Sequence, residues 1–305
     1  MPQSKLYQKT GLRSFILFSL CFFFVQCQRE IVSISPDSSS NKTSLLNVLP
    51  KGKFKVEDLG THLLLHGFSD PETNKPYPLL WDTGSDISFV REHLGAETDT
   101  QFRLRWAGKD FPFKKRKGVL PESLQGLVGN DFFDNTCVWW ENGELLVFDS
   151  SSSFCERPQA FLSTSLRTLS VRKWNLHYYA SFKGKKEKTY LGILDTGASL
   201  SLLPFKGEED LESQGKKKVF LPGNQIQEAD LFYWKGPLYL GTNLGIWEEY
   251  FDIYFLSGIS LENFLLSRDK DREEVWVIGL DILRRKPLFW DFARNRIAIL
   301  NHSSN

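Results

Sequence analysis

Two stretches of the chain, LWDTGSDISFV at residues 80–90 and GILDTGASLSLLP at residues 192–204, share one plan. Each enters on an apolar run, reaches Asp-Thr-Gly, and leaves on alternating apolar and polar residues, which predicts a strand, a tight loop and a second strand. One such triplet carries little weight, because Asp and Gly are ordinary turn residues. Two in the same setting make a repeat. Working outward, residues 61–90 and 176–204 each hold an apolar run, a polar turn containing Gly or Pro, and another apolar run before the triplet. That is a β-hairpin feeding a loop. Downstream, GLVGNDFF from Gly126 and WVIGLDIL from Trp276 each set apolar residues against a glycine. Both continue through a polar stretch into a further hairpin, turned at Asn142-Gly143 in one copy and Arg294-Asn295 in the other. The second copy is longer between these landmarks, by the charged stretch GEEDLESQGKKK (207–218) and the strand-like material after it.

The chain has 305 residues, with 38 Lys and Arg against 37 Asp and Glu, a formal charge of +1. This length predicts two packed units. The balanced charge argues against a protein held on nucleic acid by backbone electrostatics, and no nucleic-acid partner is expected. With 14% aromatic and 25% charged residues, the composition is that of a well-filled globular protein. Short apolar runs bounded by Gly, Pro, Asn and Asp recur while helical periodicity is scarce, so an all-β protein of two related lobes is expected.

Lys5, Lys9 and Arg13 precede the apolar run FILFSLCFFFV, Phe15–Val25. A basic segment before a short apolar core has the form of an export signal, and the run is too short to span a bilayer. It ends at Cys27 before a Ser-rich stretch, which resembles a lipoprotein signal with Cys27 acylated. Gln26 departs from the small residue usual at that place, so ordinary cleavage after Cys27 stands beside lipidation. The expected organisation is a signal peptide at 1–27, a polar tether at 28–48, and an N-terminal lobe with Asp82 at 49–149. A linker at 150–157, around Ser150–Ser153, then leads to a C-terminal lobe with Asp195 at 158–301. The expected location is the cell envelope, lipid-anchored, or else secreted or periplasmic and soluble. The triplets beginning at Asn41 and Asn301 are glycosylation acceptors only in a eukaryote.

Cys137 and Cys155 are the cysteines left in the body of the chain. Either they pair, tying a strand to the following linker, or they are buried free thiols; both readings stand. His62 and His66 lack a third ligand nearby and any HExxH pattern, so they read as structural and no metal site is expected. No GxSxG elbow, P-loop or dinucleotide fingerprint occurs. The basic runs Lys114–Lys117 and Lys216–Lys218 read as solvated hairpin or loop tips.

The duplicated aspartates suggest their own chemistry. Two carboxylates held within about 3 Å cannot both ionise and share one proton. The charged member can then activate a water while the protonated member polarises a carbonyl. LWDTGSDISFV and GILDTGASLSLLP resemble the active-site loops of pepsin-like and retropepsin-like aspartic peptidases, and GLVGNDFF and VIGLDIL resemble the segment that threads beside each such loop. The resemblance implies a bilobal pepsin-like fold, two β-barrel-like lobes with the active-site cleft between them. It implies Asp82 and Asp195 as the catalytic pair, Thr83 and Thr196 cross-linking the loops through their hydroxyls, and no cofactor. The expected partner is a peptide or protein substrate, cut by a monomer. Gly84 and Gly197 would let the loops approach. Ser85 can donate to Asp82 while Ala198 offers no donor, so Asp195 is expected to carry the resting proton.

A flap over the cleft is also implied, and the stretch FRLRWAGKDFPFKKRKG (102–118) reads as a hairpin turning near Gly108-Lys109. It has no tyrosine, the usual flap residue, so Trp106 or Phe111 either covers the site or packs into the core. No long basic propeptide follows the signal, so no zymogen step is expected. The function expected is that of an aspartic endopeptidase. The alternatives are a non-catalytic protease-fold protein that binds peptides in the envelope and a purely structural envelope protein.

Overall fold

The alternating stretches do form strands, as the strand Gly52–Asp58 illustrates: Phe54 and Val56 point inward while Lys53, Lys55 and Glu57 face solvent. A computed structural model describes residues 48–300, apart from 96–98, 118–119, 121–122, 163–164, 175–176, 187, 222–224 and 260–274, together with the strand Phe24–Val25. Cys27, both glycosylation triplets and nearly all of the expected signal and tether lie outside the described residues. Among the described residues strands build two sheets, one of eleven and one of twelve. Helix in the described residues is confined to single turns such as Ser153–Glu156 and Leu280–Leu283. Among the described residues no helix is long and apolar enough to cross a membrane.

The strands that position the two triplets are buried on both faces, and they read as continuous apolar runs for that reason. In the first repeat, Gly126–Val128 runs parallel to Leu79–Trp81 and antiparallel to Phe89–Arg91. It therefore threads between the strand that enters the Asp82 loop and the strand that leaves it. The second repeat does the same, with Val275–Ile278 parallel to Tyr190–Leu194 and antiparallel to Ser201–Leu202. The threading leaves no room for a side chain at its exit. A Cβ on Gly129 would lie 2.7 Å from the Ile87 backbone, and one on Gly279 would lie 2.7 Å from the Ala198 carbonyl oxygen.

Chain order and sheet order part company at the C-terminal end. The hairpin formed by Leu288–Asp291 and Arg296–Leu300 lies in the sheet of the first repeat, where Leu288–Asp291 pairs with Thr136–Glu141. Leu166–Thr168 then adds to the outer side of Arg296–Leu300. The core is shared accordingly. Its largest cluster takes Phe54, Trp81 and Phe133 from one repeat and Tyr178, Trp234 and Trp290 from the other. Phe133 stacks on Phe292 at 5.2 Å, and Tyr178 meets the ring of Trp290 edge-on at 5.2 Å. Each such aromatic pair contributes about 0.5–1.5 kcal/mol beyond the area it buries. On the opposite sheet, Phe24–Val25 pairs with Val219 and Phe220 at the outer edge.

The hairpin Gln101–Trp106/Lys109–Arg116 turns at Ala107 and Gly108, one residue earlier than expected, because both take positive φ (49° and 75°). Trp106 is buried and stacks on Phe54 at 4.7 Å, which makes it a core residue, the second of the two readings above. Phe111 is half-buried and packs against Phe132 at 5.1 Å.

Cys137 and Cys155 are joined in a disulfide, with Cα atoms 5.7 Å apart, tying the strand Thr136–Glu141 to the turn Ser153–Glu156. The bond closes a loop with a sequence separation of 18. Replacing both cysteines by alanine is expected to lower stability by about 3 kcal/mol. Urea unfolding would show this as a lower midpoint, and an unchanged midpoint would mean that the bond contributes nothing.

Candidate active site

Each triplet hangs from its threaded strand by the same hydrogen bonds. The Asp82 N–H donates to the Val128 carbonyl and the Asp195 N–H to that of Ile278, both at 3.0 Å. Ser85 N–H closes the first loop onto the Asp82 carbonyl at 3.2 Å, and Ala198 N–H closes the second onto that of Asp195 at 3.3 Å. The loops then lock to each other. Thr83 Oγ1 donates to the Leu194 carbonyl at 2.9 Å and accepts from Thr196 N–H at 3.0 Å. Thr196 Oγ1 reciprocates, donating to the Trp81 carbonyl at 2.9 Å and accepting from Thr83 N–H at 3.0 Å.

This lock brings each glycine against the other loop's carboxyl group. A Cβ on Gly84 would lie 2.4 Å from Asp195 Cγ, and one on Gly197 would lie 2.6 Å from Asp82 Cγ. Glycine is therefore required at both positions by close approach. Asp82, Thr83, Asp195 and Thr196 are all fully buried.

Burial raises Asp195 to about 6, against hydrogen bonds from Gly197 N–H, the Asp82 side chain and Gly84 N–H, which favour its charge. The two backbone bonds reach Oδ1, at 2.8 Å from Gly197 and 3.2 Å from Gly84. Ser85 Oγ meanwhile donates to the Ile87 carbonyl at 2.8 Å. The donors on Asp195 favour its charge, but burial is the larger influence and the net shift is upward, the direction that favours its neutral form. Ala198, in place of a donor, packs its methyl group among Leu202, Val219 and Val277.

Behind the loops lies a duplicated support that the sequence reading missed. Gly129 N–H donates to Ser88 Oγ at 2.9 Å, and Ser88 Oγ donates to Asp131 Oδ1 at 2.5 Å. In the second repeat Gly279 N–H donates to Ser201 Oγ at 3.0 Å, and Ser201 Oγ to Asp281 Oδ1 at 2.8 Å. Asn130 Nδ2 adds a bond to the Thr83 carbonyl at 2.8 Å. The signal was in the chain: GND and GLD share a Gly-x-Asp spacing, and Ser88 and Ser201 stand at the same distance beyond their aspartates. His177, whose Nε2 lies 2.9 Å from the Gly84 carbonyl oxygen, was missed as well. Among the described residues no group of His, Cys, Asp or Glu is placed to hold a metal ion.

The architecture is that of a bilobal pepsin-like fold. It is similar to the crystal structure of the aspartic proteinase from Irpex lacteus, with a TM-score of 0.53 and 14% identity, over 83% of this chain and 97% of that one. No protein-family model and no curated protein matches the sequence.

Thr83→Val removes a hydroxyl that serves two buried partners, and it is expected to cost about 2–4 kcal/mol in denaturant unfolding. Thr83→Ser keeps the hydroxyl and should lose about 1 kcal/mol. Equal losses in the two variants would show that the hydroxyl is not what matters.

A second expectation concerns pH. Burial raises Asp281 to about 6 from an ordinary 3.8, despite hydrogen bonds from Ser201 and attraction by Arg285 and Arg284. A raised folded value means that stability is fully present below about pH 4 and is lost as pH rises through about 6. Asp281→Asn should remove on the order of 1–3 kcal/mol of the wild-type decline between pH 4 and pH 7. Parallel urea titrations that keep the same pH slope in both proteins would contradict the assignment.

Proposed function

We propose that the chain is an aspartic endopeptidase, with Asp82 and Asp195 hydrolysing peptide bonds through a water held between them. The observation that carries this reading is the reciprocal approach of each carboxyl group to the opposite glycine, 2.4 Å and 2.6 Å from where a Cβ would stand. The Asp82 side chain is hydrogen-bonded to that of Asp195, and two acids so joined share one proton. Burial raises Asp195, so Asp195 holds the shared proton and Asp82, the charged member, accepts the proton of the attacking water. Asp195 then hydrogen-bonds the peptide carbonyl and afterwards helps to protonate the leaving nitrogen. The titration belongs to the pair rather than to either acid alone. Both groups are fully buried in this conformation, so a peptide has to open the site before it can be cut.

The setting proposed is outside the cytoplasm, reached through the N-terminal signal, with Cys27 as lipid anchor. The Cys137–Cys155 disulfide supports an oxidising compartment. Both aspartates lie in one chain, so the enzyme is proposed to act as a monomer.

The pair is a monoanion until Asp195 ionises, so cleavage of an unfolded protein should fall as pH rises through about 6. Asp82→Asn and Asp195→Asn should each reduce it by at least about a thousandfold. A pepstatin-type inhibitor should abolish the wild-type rate. If wild type and Asp82→Asn are equally silent from pH 3 to pH 8, the chain is a peptide-binding protein of the same fold. A rate that instead rises through pH 6 would leave the enzyme reading intact but reverse the charge assignment.

A further inference from the structure

The register of the strands sets two histidines at one place in the repeat. Leu64 faces Leu80 and Tyr179 faces Ile193, each opposite the residue two before its aspartate, so His62 and His177 are equivalent. Their surroundings differ. His177 opens the strand His177–Lys183, is buried, and reaches across to the first repeat, where its Nε2 lies 2.9 Å from the Gly84 carbonyl oxygen. A carbonyl only accepts, so Nε2 carries the proton. Gly84 is also the residue whose N–H donates to Asp195 Oδ1. One glycine is thus held from both sides by the second repeat, through its carbonyl by His177 and through its N–H by Asp195.

A charge completes the arrangement. Asp86, two residues beyond Gly84, is buried, and its Oδ1 has no hydrogen-bond partner among the described residues. Burial lowers His177 and raises Asp86, and each is the other's main charged influence. Lys114 and Arg116, on the hairpin strand Lys109–Arg116, also act on Asp86, and Asp86 in turn helps raise Asp131. Arg172 and Lys173 lie on the strand Val171–Trp174 paired beside His177. The matching position of the second loop is Ser199, so only the Asp82 loop offers a carboxylate to a histidine.

We propose that His177 is a positioning residue for the dyad: its Nε2–H donates to the Gly84 carbonyl and holds, from the opposite repeat, the loop that presents Asp82 and binds Asp195. The role rests on the peptidase reading above, and it reaches the reaction through Gly84 without touching substrate. Asp86 attracts the imidazole once it is protonated. The hold therefore survives acidification, which a buried histidine without a carboxylate would resist.

His177→Leu should lower kcat about tenfold or more while KM changes less than threefold, because a loose loop misplaces the reacting groups more than it weakens binding. His177→Gln offers an amide N–H to the same carbonyl and should recover most of kcat near pH 7. Lacking a titrating ring, it should also lose any limb of the rate profile that belongs to His177. A second measurement needs no turnover. Imidazole nitrogen NMR should find His177 Nε2 protonated at pH 8, and Asp86→Asn should shift the ring's titration downward. If His177→Leu, shown folded by circular dichroism, keeps the wild-type kcat, KM and pH profile, the proposal fails. It fails equally if Nε2 is unprotonated or the titration ignores Asp86→Asn. A chain that cuts nothing but passes the NMR test would overturn the peptidase reading and leave the cross-repeat hold standing.

Discussion

Thr83 and Thr196 exchange four hydrogen bonds in which each hydroxyl both donates to and accepts from the other loop's backbone. All four are buried, where an unmade bond costs about 1–3 kcal/mol for each group left unpaired. Because a hydroxyl satisfies a carbonyl and an N–H at once, the exchange leaves neither loop with an orphaned group at the contact. It also sets the separation of the loops. Any residue larger than glycine at position 84 or 197 would meet a carboxyl group before the threonine bonds could close. Close approach, burial of the acids and the raised Asp195 all follow from that one contact.

The repeat is symmetric in backbone and asymmetric in charge. Both threaded strands, both loop closures and both Ser-to-Asp supports recur at matching positions. The differences fall on the side chains around the acids, where Ser85 and Asp86 in one loop stand against Ala198 and Ser199 in the other. A pair of acids sharing one proton needs such a difference if the proton is to favour one site. Here burial and backbone oppose each other on Asp195, since Gly84 and Gly197 N–H groups both reach its Oδ1 while burial, the larger influence, raises it.

What was legible in the sequence had a short period or a steric signature. Alternation in GKFKVED, the glycine at each threaded strand and the paired triplets all act within a few residues, so they can be read along the chain. The supporting serines and aspartates were harder, because Ser and Asp are common on exposed turns and nothing local marks Ser88 or Asp281 as buried. His177 was invisible for another reason: its partner is a backbone carbonyl in the other repeat, and a carbonyl has no sequence identity. Trp106 shows the limit of analogy. Its place on the hairpin left a covering role and a core role both open, and the nearby ring of Phe54 and a buried setting draw it inward.

The C-terminal hairpin carries the constraint furthest. Leu288–Asp291 pairs residue by residue with Thr136–Glu141, and without it that buried strand would present an unpaired edge bearing Val138, Trp139 and Trp140. The first repeat is therefore incomplete until the end of the chain has arrived. Phe292, just past the hairpin's first strand, stacks on Phe133, which follows the Gly129 exit of the first threaded strand. The carbonyl of Phe292 also accepts from the Tyr178 hydroxyl at 3.2 Å, one residue from His177. The final strand pair thus touches the supports of both loops. Contacts of such long sequence separation form slowly, because loop-closure entropy is lost before the contacts return it. The closure that completes the core also backs both loops, so the site and the C-terminal hairpin depend on the same packing.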